Sequence, residues 1–157
     1  MSDDALADYP KTVVLTDGAH LILRPLGAAE RDLLAVLLGR IQPAEHVALH
    51  GDPVIVACDG ERVAAAAALA RGVPGVARLT VVIDPQYGGR RLGTWLLLDG
   101  VHLAAGLGVE RLEARVRRGD AALLGALERL DFVADSARAS PSELVLVKRL
   151  YRTWTDF

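Results

Sequence analysis

Apolar and polar positions change period several times along the chain, and each change predicts an element. Residues 12–15 and 21–23 are short apolar runs on either side of Asp17-Gly18, which predicts a β-hairpin. Leu33, Leu34, Leu37 and Leu38 then recur at helical spacing behind Glu30, Arg31 and Asp32, so residues 28–38 read as an amphipathic helix. Pro43 breaks that pattern. Residues 44–50 follow as a second short helix carrying His46 and His50 at i and i+4. Residues 53–58 and 62–71 flank Asp59-Gly60, again hairpin punctuation, although the run VAAAAALA prefers helix on intrinsic propensity.

The most informative stretch is residues 79–98, LTVVIDPQYGGRRLGTWLLL. Leu79, Val81 and Ile83 alternate with Thr80 and Val82 in a β-branched strand pattern, and Asp84-Pro85 ends it at Ile83. Gly88 and Gly89 permit φ > 0 and close backbone approach, and Leu92, Trp95, Leu96 and Leu103 return at helical spacing, so a helix starts near Arg90. Gly106 and Gly108 stop that helix. Leu112, Ala114 and Val116 alternate with Glu113, Arg115 and Arg117 in a further strand. Asp120 is a good N-cap for a helix to Leu130, with Leu123, Leu124 and Leu127 on its apolar face. Residues 132–135 and 143–150 are the last strand candidates, joined by the polar segment 136–142.

Composition narrows the class. The 157 residues, 52% hydrophobic, suit one domain with a sizeable core, taken as 1–157 with its core at 13–150. A net charge of −2 gives no global attraction to nucleic acid or to an anionic membrane, so neither is an expected partner. The lone Cys58 reads as a buried small hydrophobe. The acidic N-terminus has no signal-peptide core and no apolar run reaches membrane-spanning length, which predicts a cytoplasmic protein. No metal is expected, because the His46/His50 pair lacks the glutamate of a zinc-protease helix and an evident third ligand.

A strand, a glycine turn and a helix N-terminus together aim unpaired N–H groups and a positive dipole end at one point, an arrangement suited to phosphate. The spacing matches neither a Walker A loop nor a dinucleotide fingerprint. Residues 81–94, VVIDPQYGGRRLGT, instead resemble the signature of the GNAT acyltransferase superfamily: an apolar strand, Pro, an aromatic residue, then Gln/Arg-x-x-Gly-x-Gly/Ala opening a helix. Pro85, Tyr87, Gly89, Arg90, Leu92 and Gly93 match it. Gly88 stands where the family usually has Gln or Arg, and Arg91 stands where the first motif glycine is expected. Placed in the first helical turn with φ < 0, Arg91 would be sterically allowed.

The resemblance covers residues 13–150. It implies an α/β (α+β) fold with a mixed, mostly antiparallel sheet of about six to seven strands and about four helices. Within it residues 62–71 become a strand, their small side chains leaving room for a helix. It also implies acetyl-CoA as acyl donor, with Val81, Val82 and Ile83 along its pantetheine arm, and Gly88, Gly89, Arg90, Arg91, Leu92, Gly93 and Thr94 at its pyrophosphate. Asp120 replaces a common asparagine beside the cofactor.

The family's side-chain chemistry is altered. Arg78 occupies the place of a common catalytic glutamate and Leu127 that of a common tyrosine acid. Asp84, His46, Glu45 and Tyr87 are the substitute catalytic candidates, and Arg115, Arg117 and Arg118 form a basic end to the fifth long strand. Two readings follow: an N-acetyltransferase acting directly on an amine of a small molecule or protein, as monomer or homodimer, or a catalytically degenerate domain that binds acyl-CoA or a protein partner.

Overall fold

The computed structural model describes residues 6, 9–40, 51, 53–88 and 91–150. Eight strands form one sheet: β1 (Lys11–Val14), β2 (His20–Pro25), β3 (Val54–Asp59), β4 (Arg62–Arg71), β5 (Val76–Ile83), β6 (Arg111–Arg117), β7 (Val133–Ala134) and β8 (Glu143–Arg149). Their spatial order is β1-β2-β3-β4-β5-β6-β8-β7, and every neighbouring pair is antiparallel except β5 and β6. The mixed, mostly antiparallel sheet is the expected class. It has eight strands where the family resemblance implied six to seven, and the short runs 12–15 and 132–135 supply its two edge strands, β1 and β7.

Three α-helices lie among the described residues: α1 (Arg31–Gly39), α2 (Leu92–Gly106) and α3 (Ala121–Arg129). Short 3-10 turns occupy Ala28–Glu30, Pro85–Tyr87 and Ser136–Arg138. The helix expected over residues 44–50, with Glu45, His46 and His50, lies outside the described residues.

The two faces of the sheet are unequal. Leu92, Leu96, Leu97 and Leu103 of α2 and Leu127 of α3 pack with Leu21, Leu23, Leu79, Leu112 and Leu146 in the larger core. On the other face Leu34 and Leu37 of α1 cover Val54, Val56, Ala66, Ala68 and Val82. Strand β4 is buried on both faces, from Val63 to Leu69, and that settles the conflict between its alanine content and its conformation. Helix propensity is worth at most ~0.7 kcal/mol per ordinary residue, whereas a central strand satisfies its backbone on both edges and admits helices closely on both faces. Gly100 shows how closely α2 approaches: a Cβ there would stand 2.7 Å from a Leu79 methyl.

Candidate functional site

Strands β5 and β6 pair only from Val76↔Arg111 to Leu79↔Ala114. Beyond Leu79, β5 continues to Ile83 bonded to β4 alone, and β6 continues to Arg117 bonded to β8 alone. The sheet therefore opens into a V. Two hydrogen bonds fix the backbone direction inside it. The Asp84 N–H donates to the Ala64 carbonyl at 2.8 Å, while Leu69, the register partner of Leu79, donates away from β5 to the Pro53 carbonyl at 3.2 Å. Since peptide groups alternate sides along an antiparallel strand, Val82 and Thr80 face β4, and Val81 and Ile83 face the opening. Their N–H and C=O groups form its β5 wall.

At the wide end of the V, α2 presents an uncapped N-terminus. Its first intrahelical bond runs from the Trp95 N–H to the Arg91 carbonyl at 3.1 Å, and no side chain caps the helix. The N–H groups of Leu92, Gly93 and Thr94 precede that bond, which concentrates three donors and the dipole's positive end beside Ile83. Gly93 permits this proximity, because a Cβ there would meet Ile83 Cδ1 at 3.0 Å. Asp120 lies just beyond the end of β6 at the same edge, where its carboxylate accepts the Leu123 N–H at 3.1 Å and caps α3.

Two expectations for this turn are corrected. The helix begins at Leu92, and Arg91 is its N-cap with φ 66° and ψ 13°, in the left-handed region and not in the first helical turn with φ < 0. Gly88 has φ −65° and ψ 153°, so its backbone is extended and does not use the positive φ that glycine allows. A side chain fits at Gly88, whereas Arg91 holds a glycine conformation with a side chain attached. Gly89 and Arg90 lie outside the described residues.

Asp84 is buried at 1% exposure and fully engaged. It accepts from Arg62 Nη2 at 2.8 Å, Arg40 Nη1 at 3.0 Å and the Gln86 N–H at 3.0 Å. Burial pushes its carboxyl up, but the Gln86 N–H and the two guanidinium groups together hold it below the usual carboxylate range. Such a group is a poor proton acceptor and a strong brace for the turn after β5. Tyr87 is also buried and donates its hydroxyl to Asp59 Oδ2 at 2.6 Å; that bond, with burial, pushes the phenol pKa up. Arg62 lies over the Tyr87 ring at 5.9 Å, so Asp59, Arg62, Arg40, Asp84 and Tyr87 form one network at the turn after β5. No periodic pattern singles out Arg40 and Arg62, which reach Asp84 across 44 and 22 residues.

The expected departures are placed clearly. Leu127, in the tyrosine's position, has no exposure and belongs to the core. Arg78 is partly buried on β5, opposite Glu113 of β6. Arg115, Arg117 and Arg118 end β6 as exposed residues, and Arg118 donates to the Ser140 carbonyl at 2.9 Å. Among the described residues there is no cluster of metal-ligating side chains, and no helix is long and apolar enough to cross a membrane.

Residues 24–132 match the model of the acetyltransferase (GNAT) family. The chain belongs to that family. No curated protein matches it by sequence. Among solved structures it is similar to the GNAT domain of S. lividans PAT, with TM-score 0.79 and 16% identity over 92% of this chain and 98% of that one. It is also similar to the ribosomal-protein-S18-alanine N-acetyltransferase from Escherichia coli, with TM-score 0.68 and 18% identity over 82% of this chain and 93% of that one. A B. subtilis acetyltransferase in complex with CoA gives TM-score 0.67 and 15% identity over 83% of this chain and 99% of that one. GNAT membership makes acetyl transfer from an acyl-CoA the general class of activity.

Proposed function

We propose that this GNAT domain is an N-acetyltransferase that moves an acetyl group from acetyl-CoA directly onto an amine of a small molecule or protein. The observation that carries the proposal is the V, where the peptide groups of Val81 and Ile83 face the opening and the uncapped Leu92–Thr94 turn stands at its end. Val81, Val82 and Ile83 would run beside the pantetheine arm, and Gly88 to Thr94 would hold the pyrophosphate, with Asp120 at the opposite wall. Acetyl-CoA supplies the thioester. The amine nitrogen bonds to the acetyl carbon as the carbon–sulfur bond breaks, and the amine loses one proton as the thiol departs. Binding both substrates supplies proximity, and a backbone N–H facing the opening supports the developing oxyanion.

No strong side-chain base is required by this reading. Asp84 is occupied by three donors and Tyr87 by Asp59, so neither is assigned proton transfer; His46 and Glu45 lie outside the described residues. A site of this kind favours amines that are readily neutral. Holding a lysine side chain of pKa ~10.4 neutral at pH 7 costs about 4.6 kcal/mol, against about 1.4 for an α-amine near pKa ~8.

Thr94→Asp tests the cofactor placement through two readouts of opposite sign. An acidic residue in the first turn of α2 favours the helix by about 0.3–1 kcal/mol, so the melting temperature should hold or rise. The same charge opposes the pyrophosphate: unit charges ~8 Å apart at an effective dielectric of ~20 repel by about 2 kcal/mol, a loss of roughly thirtyfold in affinity. Calorimetric CoA affinity unchanged in a folded Thr94→Asp protein would remove the pyrophosphate from this turn.

A further inference from the structure

The sheet face opposite α2 carries an arginine, Arg78, that makes no hydrogen bond among the described residues, although its charge is felt by Glu113. Thr80 and Val82 share that face of β5 with Arg78, and Glu113 and Arg115 of β6 lie beside them through the Arg78↔Glu113 register. Glu113 looks like the natural counter-ion for Arg78. Its two oxygens are instead taken by Arg138, at 2.6 Å to Nη1 and 3.0 Å to Nη2, with Arg111 Nε at 3.5 Å. Arg111 also reaches Asp135 at 3.8 Å. Among the described residues Arg78 has no hydrogen bond or ion pair, and its Nε is buried without a partner. A buried guanidinium nitrogen left unsatisfied is uncommon and calls for an explanation; Arg62 Nε is in the same state, but its guanidinium is held by Asp84, whereas that of Arg78 has no hydrogen bond among the described residues.

We infer that Arg78 is the recognition cation for a carboxylate on the acceptor, so that the amine acetylated by this protein belongs to a carboxylate-bearing molecule such as an amino acid. The inference rests on the acetyltransferase reading above and specifies its substrate class. Charge balance supports it: Arg138 neutralises Glu113 in a fork-to-fork pair, which leaves Arg78 and the exposed Arg115 as net positive charge on this face. Position supports it too. Arg78 lies three residues from Val81, about 10 Å along the strand. An anion held there sits a few bonds from an amine delivered to the opening. The planar guanidinium, with its fixed donors, suits a carboxylate better than a diffuse charge does.

The experiment measures acetyl transfer from acetyl-CoA to matched pairs of amino acids and their carboxamides, for the wild type and for Arg78→Gln. Comparing each substrate's loss between proteins cancels the difference in amine basicity within a pair. Removing a charge-assisted hydrogen bond should lower kcat/KM for the acids by about 10- to 100-fold and leave the carboxamides within a factor of three. Calorimetric CoA affinity should not change. Equal losses for acids and carboxamides, or a loss of CoA affinity, would make Arg78 a scaffold or cofactor residue and overturn the inference. Calorimetry with N-acetyl amino acids in the presence of CoA provides a readout without turnover. Arg78-dependent binding without transfer would sustain the inference while sinking the catalytic reading, and transfer without acid preference would do the reverse. Absence of both transfer and carboxylate binding would overturn the inference.

Discussion

Replacing Arg91 by glycine should make the protein more stable, although it removes a charged side chain at the N-terminus of α2. Arg91 holds φ 66° and ψ 13°, and its exposed side chain has no hydrogen bond or ion pair among the described residues. The left-handed conformation costs an L-residue about 1–2 kcal/mol, which glycine does not pay. Glycine in turn frees the unfolded chain, offsetting about 0.5–1 kcal/mol of that gain. Losing a cation from the positive end of α2 adds about 0.3 kcal/mol. The balance is a stabilisation of about 1 kcal/mol, and at about 2–4 °C per kcal/mol for a chain of this size it raises Tm by roughly 2–5 °C. Arg91→Ala is the necessary control, since it removes the charge but keeps the Cβ that carries the strain. Differential scanning calorimetry of the wild type and both variants decides the matter. An Arg91→Gly protein that melts at or below Arg91→Ala would refute the claim that strain is stored at this N-cap. Asp131, at φ 69° where α3 ends, offers a graded comparison, because aspartate tolerates this region better and Asp131→Gly should gain less.

Four further outcomes follow from the site. Asp84→Asn should cost about 2 kcal/mol of stability, below the 3–5 kcal/mol typical of a broken buried pair because Arg40 and Arg62 are partly exposed, and urea titration checks it. Asp84 and Glu113 both titrate below their unfolded values, so their stabilisation is present above about pH 4 and is lost as pH falls through the folded values; Asp84→Asn should flatten that acid limb in melts from pH 6 to 2. Leu127→Tyr, which restores the family's usual acid, should overpack the core by about 1–3 kcal/mol and leave kcat unimproved, to be read from steady-state rates and Tm together. The acetylation rate should climb toward pH 9, since only the neutral amine attacks; a plateau below pH 7.5 that His46→Ala abolishes would reveal a base at that residue.

Local chemistry was enough to place most elements. Asp17-Gly18 and Asp59-Gly60 mark the two hairpins, with Gly18 at φ 88° and Gly60 at φ 62°, because the turn conformation depends on residues a few positions apart. The end of β5 at Ile83 was equally legible: proline has no N–H to continue a ladder, whatever lies elsewhere in the chain. The Leu33-Leu34-Leu37-Leu38 stripe of α1 and the Asp120 cap of α3 were set by the helical period and by side-chain reach.

The sequence alone thus determined where most elements begin and end, and through its motif the family. Only tertiary structure decided what each charged residue does. The alanine run of β4 became a strand because two sheet partners and two helix faces outweighed its propensity, an energy that no window of the sequence contains. Asp84 looked like a free base until Arg40 and Arg62 arrived from distant segments to occupy it. Glu113 and Arg138 pair across a strand order that places β8 between β6 and β7, and that pairing leaves Arg78 without a hydrogen bond among the described residues. Arg91 kept the backbone of a glycine because the sheet below and the helix above fix the turn between them more strongly than one residue's preference resists it. Backbone conformation over a few residues is a local free energy and is written in local sequence; ionisation and ion pairing depend on which groups the fold brings together.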